Sequence, residues 1–236
     1  MRYKFLELSM NRSGFSLVEI LVVLTLIIFV GATASFYLNN HKKLYKTDDQ
    51  TLLIADILQE ARQRSLTQRE TMRVEIDLTD NEVRLIDENS VDTADDDQLL
   101  KTLVISFPNE VRMDSRAGNI AYNPPEPLPI PTAVYKPSVY PTSATHQVFT
   151  LRFQSNGTVS DGGNNATGVG AVVGGVTLHI WQPDNENPNE SSIARALTVI
   201  GSTGSIRIWE FDQSFPGANK WKDSRRVGSY SGNPQS

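Results

Sequence analysis

Residues 14–38 read G-F-S-L-V-E-I-L-V-V-L-T-L-I-I-F-V-G-A-T-A-S-F-Y-L, and from Phe15 onward the only side chain in the run that is charged at neutral pH is Glu19. As a helix this run spans about 36 Å, against a bilayer hydrocarbon core of about 30 Å, so it is long enough to cross. A secretory signal carries its small-residue cleavage site after a shorter apolar region. Here the basic segment ends in Gly14 directly before the apolar run, so cleavage there keeps the helix. Residues 1–14 carry Arg2, Lys4 and Arg12 against Glu7, which places them on the cytoplasmic side and the rest of the chain on the other. Initiation at Met10 would shorten this leader to M-N-R-S-G and leave the chain from Phe15 onward unchanged.

The segment R-S-G-F-S-L-V-E-I at residues 12–20 closely resembles the processing site of type IV pilins and type II secretion pseudopilins. The resemblance implies a 14-residue leader cut after Gly14 by a prepilin peptidase, methylation of the new Phe15 amine, and polymerisation into a filament with other pilins or pseudopilins. Glu19 has a physical role in this picture. A carboxylate well inside a bilayer costs on the order of 2.5 to 3.5 kcal/mol, so it needs a partner. The Phe15 ammonium, one turn away or at the head of a neighbouring subunit, is the candidate; the plainer reading is a carboxylate that snorkels to water.

The 236 residues leave room for one anchor helix and one globular domain of ordinary size. A net charge of -5 excludes the general basic excess of a nucleic-acid binder. The chain has no cysteine, which excludes disulfides, thiolate metal sites and cysteine nucleophiles.

Past Leu38 the helical pattern continues without proline to Arg69. Ile54, Leu58, Ala61 and Ser65 form one stripe, with Asp56, Gln59, Glu60, Gln63 and Arg64 off it. Alternating runs then predict strands. Residues 72–78 and 82–87 make a hairpin around Thr79-Asp80-Asn81, with Val74, Ile76 and Leu78 on one face. Further strands are expected at 103–107, 111–113, 147–153, 176–181, 195–200 and 205–211. An acidic loop (87–97), a proline-rich loop (123–141) and a glycine-rich loop (155–175) separate them and are too biased to be core elements. L-L-I-A-D-I-L-Q-E-A-R-Q-R-S (52–65), F-Q-S-N-G-T (153–158) and A-L-T-V-I-G-S-T-G-S-I-R-I (196–208) resemble, in order, segments of the GspH/FimT family of minor pseudopilins.

Hidden chemistry has little support in the sequence. His41, His146 and His179 have no acidic or histidine neighbour at metal-ligand spacing, and His179, between Leu178 and Ile180, reads as a strand-surface residue. Asp92, Asp95, Asp96 and Asp97 could wrap calcium but do not match an EF-hand; a solvated acidic loop is the simpler reading. The glycine run 168–176 lacks the strand-turn-helix setting of a nucleotide fingerprint, and G-S-T-G at 201–204 is a hairpin turn. The tail K-W-K-D-S-R-R-V-G-S-Y (220–230) mixes cations with aromatics, as single-stranded nucleic-acid sites do, although a solvated tail has the same composition. DNA-binding FimT-like members carry G-R-x-R on the last hairpin; here Gly204, Ser205, Ile206 and Arg207 keep one arginine of the two.

These readings predict an α+β fold: a long N-terminal α-helix, its first half transmembrane, packed on an antiparallel β-sheet or β-sandwich domain of pilin-like type. Its parts are a leader (1–14), a spanning segment (15–38), an amphipathic continuation (39–71), a β-rich domain (72–211) and a tail (212–236). The expected function is that of a minor pseudopilin or pilin, a structural subunit of a type II secretion pseudopilus or type IV pilus. It would cross the inner membrane once, with the β domain periplasmic, and it is expected to be no enzyme, with no cofactor and no metal. Its expected site residues are Gly14 and Phe15 for cleavage, Phe15 for methylation and Glu19 for assembly. The expected partners are the prepilin peptidase, other pilins and inner-membrane lipid. The alternative is a DNA-binding minor pilin for DNA uptake, contacting nucleic acid through Arg207, Lys220, Lys222, Arg225 and Arg226.

Overall fold

The computed structural model describes residues 16–88, 97–105, 110–121, 123–126, 130–139, 145–184, 186–215 and 219–224, with the side chains of all these except 36 and 38–44. The expectations for Gly14, Phe15, Asp92, Asp95, Asp96, Arg225 and Arg226, and for the side chain of His41, therefore lie outside the described residues. Helix α1 runs Leu17–Gln68. It stops where Arg69 takes up a left-handed conformation (φ 61°), a common way to end a helix. The chain divides into two compact units at Lys42 and Lys43.

In the first unit, Leu17–Ser35 has a mean hydropathy of 2.6 and is long and apolar enough to cross a membrane. Its large side chains are exposed all round, from Leu17 at 80% to Phe29 at 68%. The hydroxyls of Thr25 and Thr33 donate back to the carbonyls of Leu21 and Phe29, so neither is left unsatisfied in an apolar surround.

In the second unit, α1 continues with Thr47, Thr51, Ile54, Leu58, Ala61 and Ser65 buried, the i, i+4, i+7 spacing of one face. Eleven strands follow among the described residues: β1 Thr71–Asp77, β2 Glu82–Glu88, β3 Gln98–Val104, β4 Arg112–Asp114, β5 Lys136–Pro137, β6 Gln147–Phe153, β7 Val159–Asp161, β8 Val176–Trp181, β9 Ala194–Ile200, β10 Ser205–Phe211 and β11 Trp221–Asp223. They form two sheets. One has the order β3-β2-β1-β6-β5 with β7 on β6, the other β11-β10-β9-β8-β4, and the strand pairs are antiparallel. Ile54, Leu58 and Ala61 of α1 share one core with Val74, Ile76, Leu85, Leu151 and Phe153 of the first sheet and Leu178, Ile180, Leu197 and Val199 of the second. Ion pairs tie the same stretch of helix to the sheets: Asp48 to Arg195 at 2.5 Å, Glu60 to Lys101 at 3.1 Å, and Lys46 to Glu110 beside β4.

The expected hairpin is present, with Val74 and Ile76 fully buried and Leu78 packed at the edge of that core. The strand expected at 103–107 instead spans Gln98–Val104. The register shifts opposite Leu85 and Ile86, and this bulge breaks the alternation that would have marked β3. Three short strands, β5, β7 and β11, are additional to those expected. The third folds residues 219–224 back onto β10, with Trp221 opposite Phe211. The proline-rich loop is also partly core: Ile130 and Ala133 are buried, and Thr132 bridges to Thr177 of β8.

Leu58 is fully buried where α1 meets both sheets. Leu58→Ala should destabilise the second unit by about 2 to 5 kcal/mol, against less than about 0.5 kcal/mol for the exposed Asp56→Ala. Urea unfolding followed by the fluorescence of Trp181, Trp209 and Trp221, all within that unit, measures both.

Candidate functional site

Glu19 lies in the first turn of α1, exposed, with Leu17, Val18, Ile20 and Leu21 equally exposed around it. A carboxylate at a helix N-terminus is favoured by the backbone N–H groups that have no partner there. Past it, the run to Ser35 is largely apolar, with its large side chains exposed on every side, and is long and apolar enough to cross a membrane. Glu19 is the single charged residue of Leu17–Ser35.

Among the described residues, the cations considered for nucleic acid, Arg207, Lys220 and Lys222, are not gathered into one surface. Arg207 sits on the face of the second sheet that carries Trp209 and Phe211, and its guanidinium pairs at 3.2 Å with Glu126, a proline-rich-loop carboxylate that is 1% exposed. Glu126 also accepts a hydrogen bond from the Thr198 hydroxyl at 2.7 Å, and that hydroxyl accepts one from the Trp209 indole at 2.9 Å. Lys222 is opposite Glu210, which puts it on the other face of the sheet, and it pairs with Asp212 at 3.1 Å and Glu210 at 3.6 Å. The Ser214 hydroxyl and Lys222 together hold the Asp212 carboxyl down at about 2. Lys220 donates to the Phe215 carbonyl at 2.8 Å.

His179 differs from the sequence reading: it is 1% exposed, not a strand-surface residue. The loop leading into the proline-rich segment covers this face of the second sheet. Asn123 lies 3.4 Å from the His179 ring nitrogen, and Trp221 lies against the ring, with centroids 5.6 Å apart. Burial, with Arg116 nearby, pushes its pKa down to about 3.

The outer face of the first sheet is a buried ionic layer that the sequence did not reveal. Strand β1 contributes Arg73, Glu75 and Asp77, alternating with Val74 and Ile76, so both of its faces are covered. Arg73 binds Glu88 and Asp97, each at 2.7 Å, and Glu75 at 3.0 Å; Arg152 of β6 binds Glu88 at 2.9 Å. Arg152 also reaches the Ala166 carbonyl at 2.7 Å, pinning the glycine-rich loop over the layer, where Gly168 leaves room for the guanidinium. Arg84 binds Asp77 at 2.9 Å and Asp80 at 3.2 Å. His146 approaches the same two carboxylates at 2.7 and 3.5 Å. Burial pushes the Glu75 and Glu88 carboxyls up. At Asp77 the opposing effect of burial is outweighed by the hydrogen bond from His146 and by backbone N–H groups, so its pKa falls, while that of His146 rises.

No family model matches the chain, and neither the curated proteins nor the solved structures yield a match. The class the structure defines is an α+β protein with one apolar N-terminal helix followed by an antiparallel sheet domain, an arrangement consistent with a pilin-like fold.

The two histidines make opposite contributions to stability against pH. His179 is held neutral, so its contribution is complete above about pH 6.5, its unfolded pKa, and is lost as pH falls toward 3. His146 has a raised pKa, so its contribution is complete below about pH 6.5 and is lost as pH rises through that raised value. Between pH 7 and 5, His179→Gln should lose about 2 kcal/mol less stability than the parent chain, and His146→Gln should lose more than the parent. Denaturant midpoints at the two pH values check both signs.

Proposed function

We propose that this chain is a minor pilin or pseudopilin, a structural subunit of a type IV pilus or a type II secretion pseudopilus, and not an enzyme. One observation carries the reading: an apolar helix exposed on every side, with Glu19 as its single charged residue, stands ahead of a β domain with its own core. Such a helix is stable only in lipid or among like helices. The motif R-S-G-F-S-L-V-E-I supports the finer steps. The leader is cut after Gly14, Phe15 is methylated, the helix spans the inner membrane once, and the β domain lies in the periplasm. Glu19 then meets a Phe15 ammonium during assembly, which offsets the cost of its burial.

Two variants test the processing and assembly steps. Gly14→Leu should leave an uncleaved precursor, and intact mass of the membrane-extracted protein should show the parent chain beginning at methylated Phe15. A mature chain with any other start removes the basis of the reading. Glu19→Ala should still be cleaved and inserted, but its crosslinking to neighbouring filament subunits in cells should fall at least about tenfold. Undiminished crosslinking counts against the pairing.

The alternative, DNA uptake, gains no support from the pairing of Arg207 with Glu126 and of Lys222 with Asp212. Phosphate contacts release counterions, so genuine binding weakens steeply with salt. The full chain in detergent should bind a short single-stranded DNA at low salt no better than an acidic control protein. Salt-sensitive micromolar binding lost in Arg207→Ala would reverse this assignment.

A further inference from the structure

Asp77 closes β1, Asp80 lies in the turn after it, and His146 immediately precedes β6. The fold brings one donor atom from each to within 4.8 Å of the others. The two separations from the His146 Nδ1, 2.7 Å to Asp77 and 3.5 Å to Asp80, bracket the roughly 3.4 Å edge of a tetrahedron with zinc-type bonds of about 2.0 to 2.1 Å. Asp77 is fully buried, and its second oxygen accepts the N–H groups of Thr79 and Asp80 at 2.8 and 3.1 Å, which fixes the first oxygen toward His146.

Arg84 now serves as the cation of this cluster, and any metal must displace it. Two features make the exchange favourable. Arg84 faces four carboxylates, Glu75, Asp77, Asp80 and Glu82, all within 3.6 Å, so negative charge exceeds what one guanidinium balances. Glu75 is fully buried and paired with Arg73 at 3.0 Å, while Arg84 approaches it only to 3.6 Å. A guanidinium that leaves Asp77 and Asp80 can close on Glu75 and Glu82, so it stays paired with carboxylates rather than being left without a counter-charge.

We propose that Asp77, Asp80 and His146 form a binding site for a divalent transition metal of zinc type, with Arg84 as its internal competitor. The mixed nitrogen and oxygen donors suit zinc or cobalt better than calcium or magnesium. A bound ion would cross-link the β1–β2 turn to the start of β6. Because the imidazole must be neutral to coordinate, affinity rises with pH as His146 loses its proton. This proposal is independent of the assembly role.

The test is titration of the metal-stripped full chain in detergent with Co²⁺, followed by its visible absorption, and then displacement by ZnCl₂. The expected result is a single saturable site with tetrahedral-type bands, with affinity at least about tenfold lower in His146→Ala. Arg84→Met should bind about tenfold more tightly, since the competitor is gone, whereas His41→Ala should leave binding unchanged. Unaltered tryptophan fluorescence certifies that each variant is folded. Absence of saturable binding in both the parent and Arg84→Met overturns the proposal. So does binding that is insensitive to His146→Ala, which would place the metal elsewhere.

Discussion

Helix α1 has to satisfy two different solvents along one continuous backbone. From Leu17 to Ser35, Glu19 apart, its large side chains are apolar and exposed on every side, a run long and apolar enough to cross a membrane. From Thr47 to Ser65 the apolar residues narrow to one stripe, and two sheets cover it. Neither sheet could close its core without that stripe, because Val74 and Leu151 from one and Leu178 and Leu197 from the other converge on Ile54, Leu58 and Ala61. Burying these side chains is worth roughly 1.5 to 3 kcal/mol for each large one, and this is what orients the sheets on the helix. The ion pairs at Asp48 and Glu60 have partly exposed partners, so they specify register more than they stabilise.

The first sheet poses the opposite problem, since β1 buries charge on the face turned away from the core. A lone buried carboxylate would be prohibitive, so the layer persists only as a network in which Arg73, Arg84 and Arg152 are shared among several acids. Removing one partner leaves a buried charge uncompensated, so the layer resists single changes, while its value relative to an apolar face is small. What it supplies is specificity: Arg152 places the glycine-rich loop and His146 places the start of β6.

Elements whose residues alternate strictly were legible in the sequence. Val74, Ile76 and Leu78 announced β1, and Leu178 and Ile180 announced β8. The helix stripe was legible for the same reason, a fixed period read against a single buried face. β3 was misplaced because a bulge breaks its period, and β11 was missed because three residues carry no period at all. His179 looked like a surface residue because alternation tells which residues share a face but not whether a loop covers it; Asn123, 56 residues earlier, does so. Likewise, 69 residues separate Asp77 from His146, so no local spacing could have joined them. The apolar run Leu17–Ser35 was readable because it is a single continuous segment.

The covering of the second sheet also decides what its cations can do. An arginine in a strand is available to an external anion only if the same face lacks an internal one. The proline-rich loop brings Glu126 to Arg207, and the Thr198 hydroxyl and Trp209 indole hold that carboxylate in place. Lys222 meets Glu210 and Asp212 on the opposite face. Because strand alternation puts Arg207 and Lys222 on different faces, one phosphate backbone cannot run along both without wrapping the sheet edge. The proline-rich loop, expected to be no core element, therefore covers part of the second sheet. Its Glu126 neutralises Arg207, while Ile120 just before it packs with Trp181, Trp209 and Trp221 of the sheet on the same face.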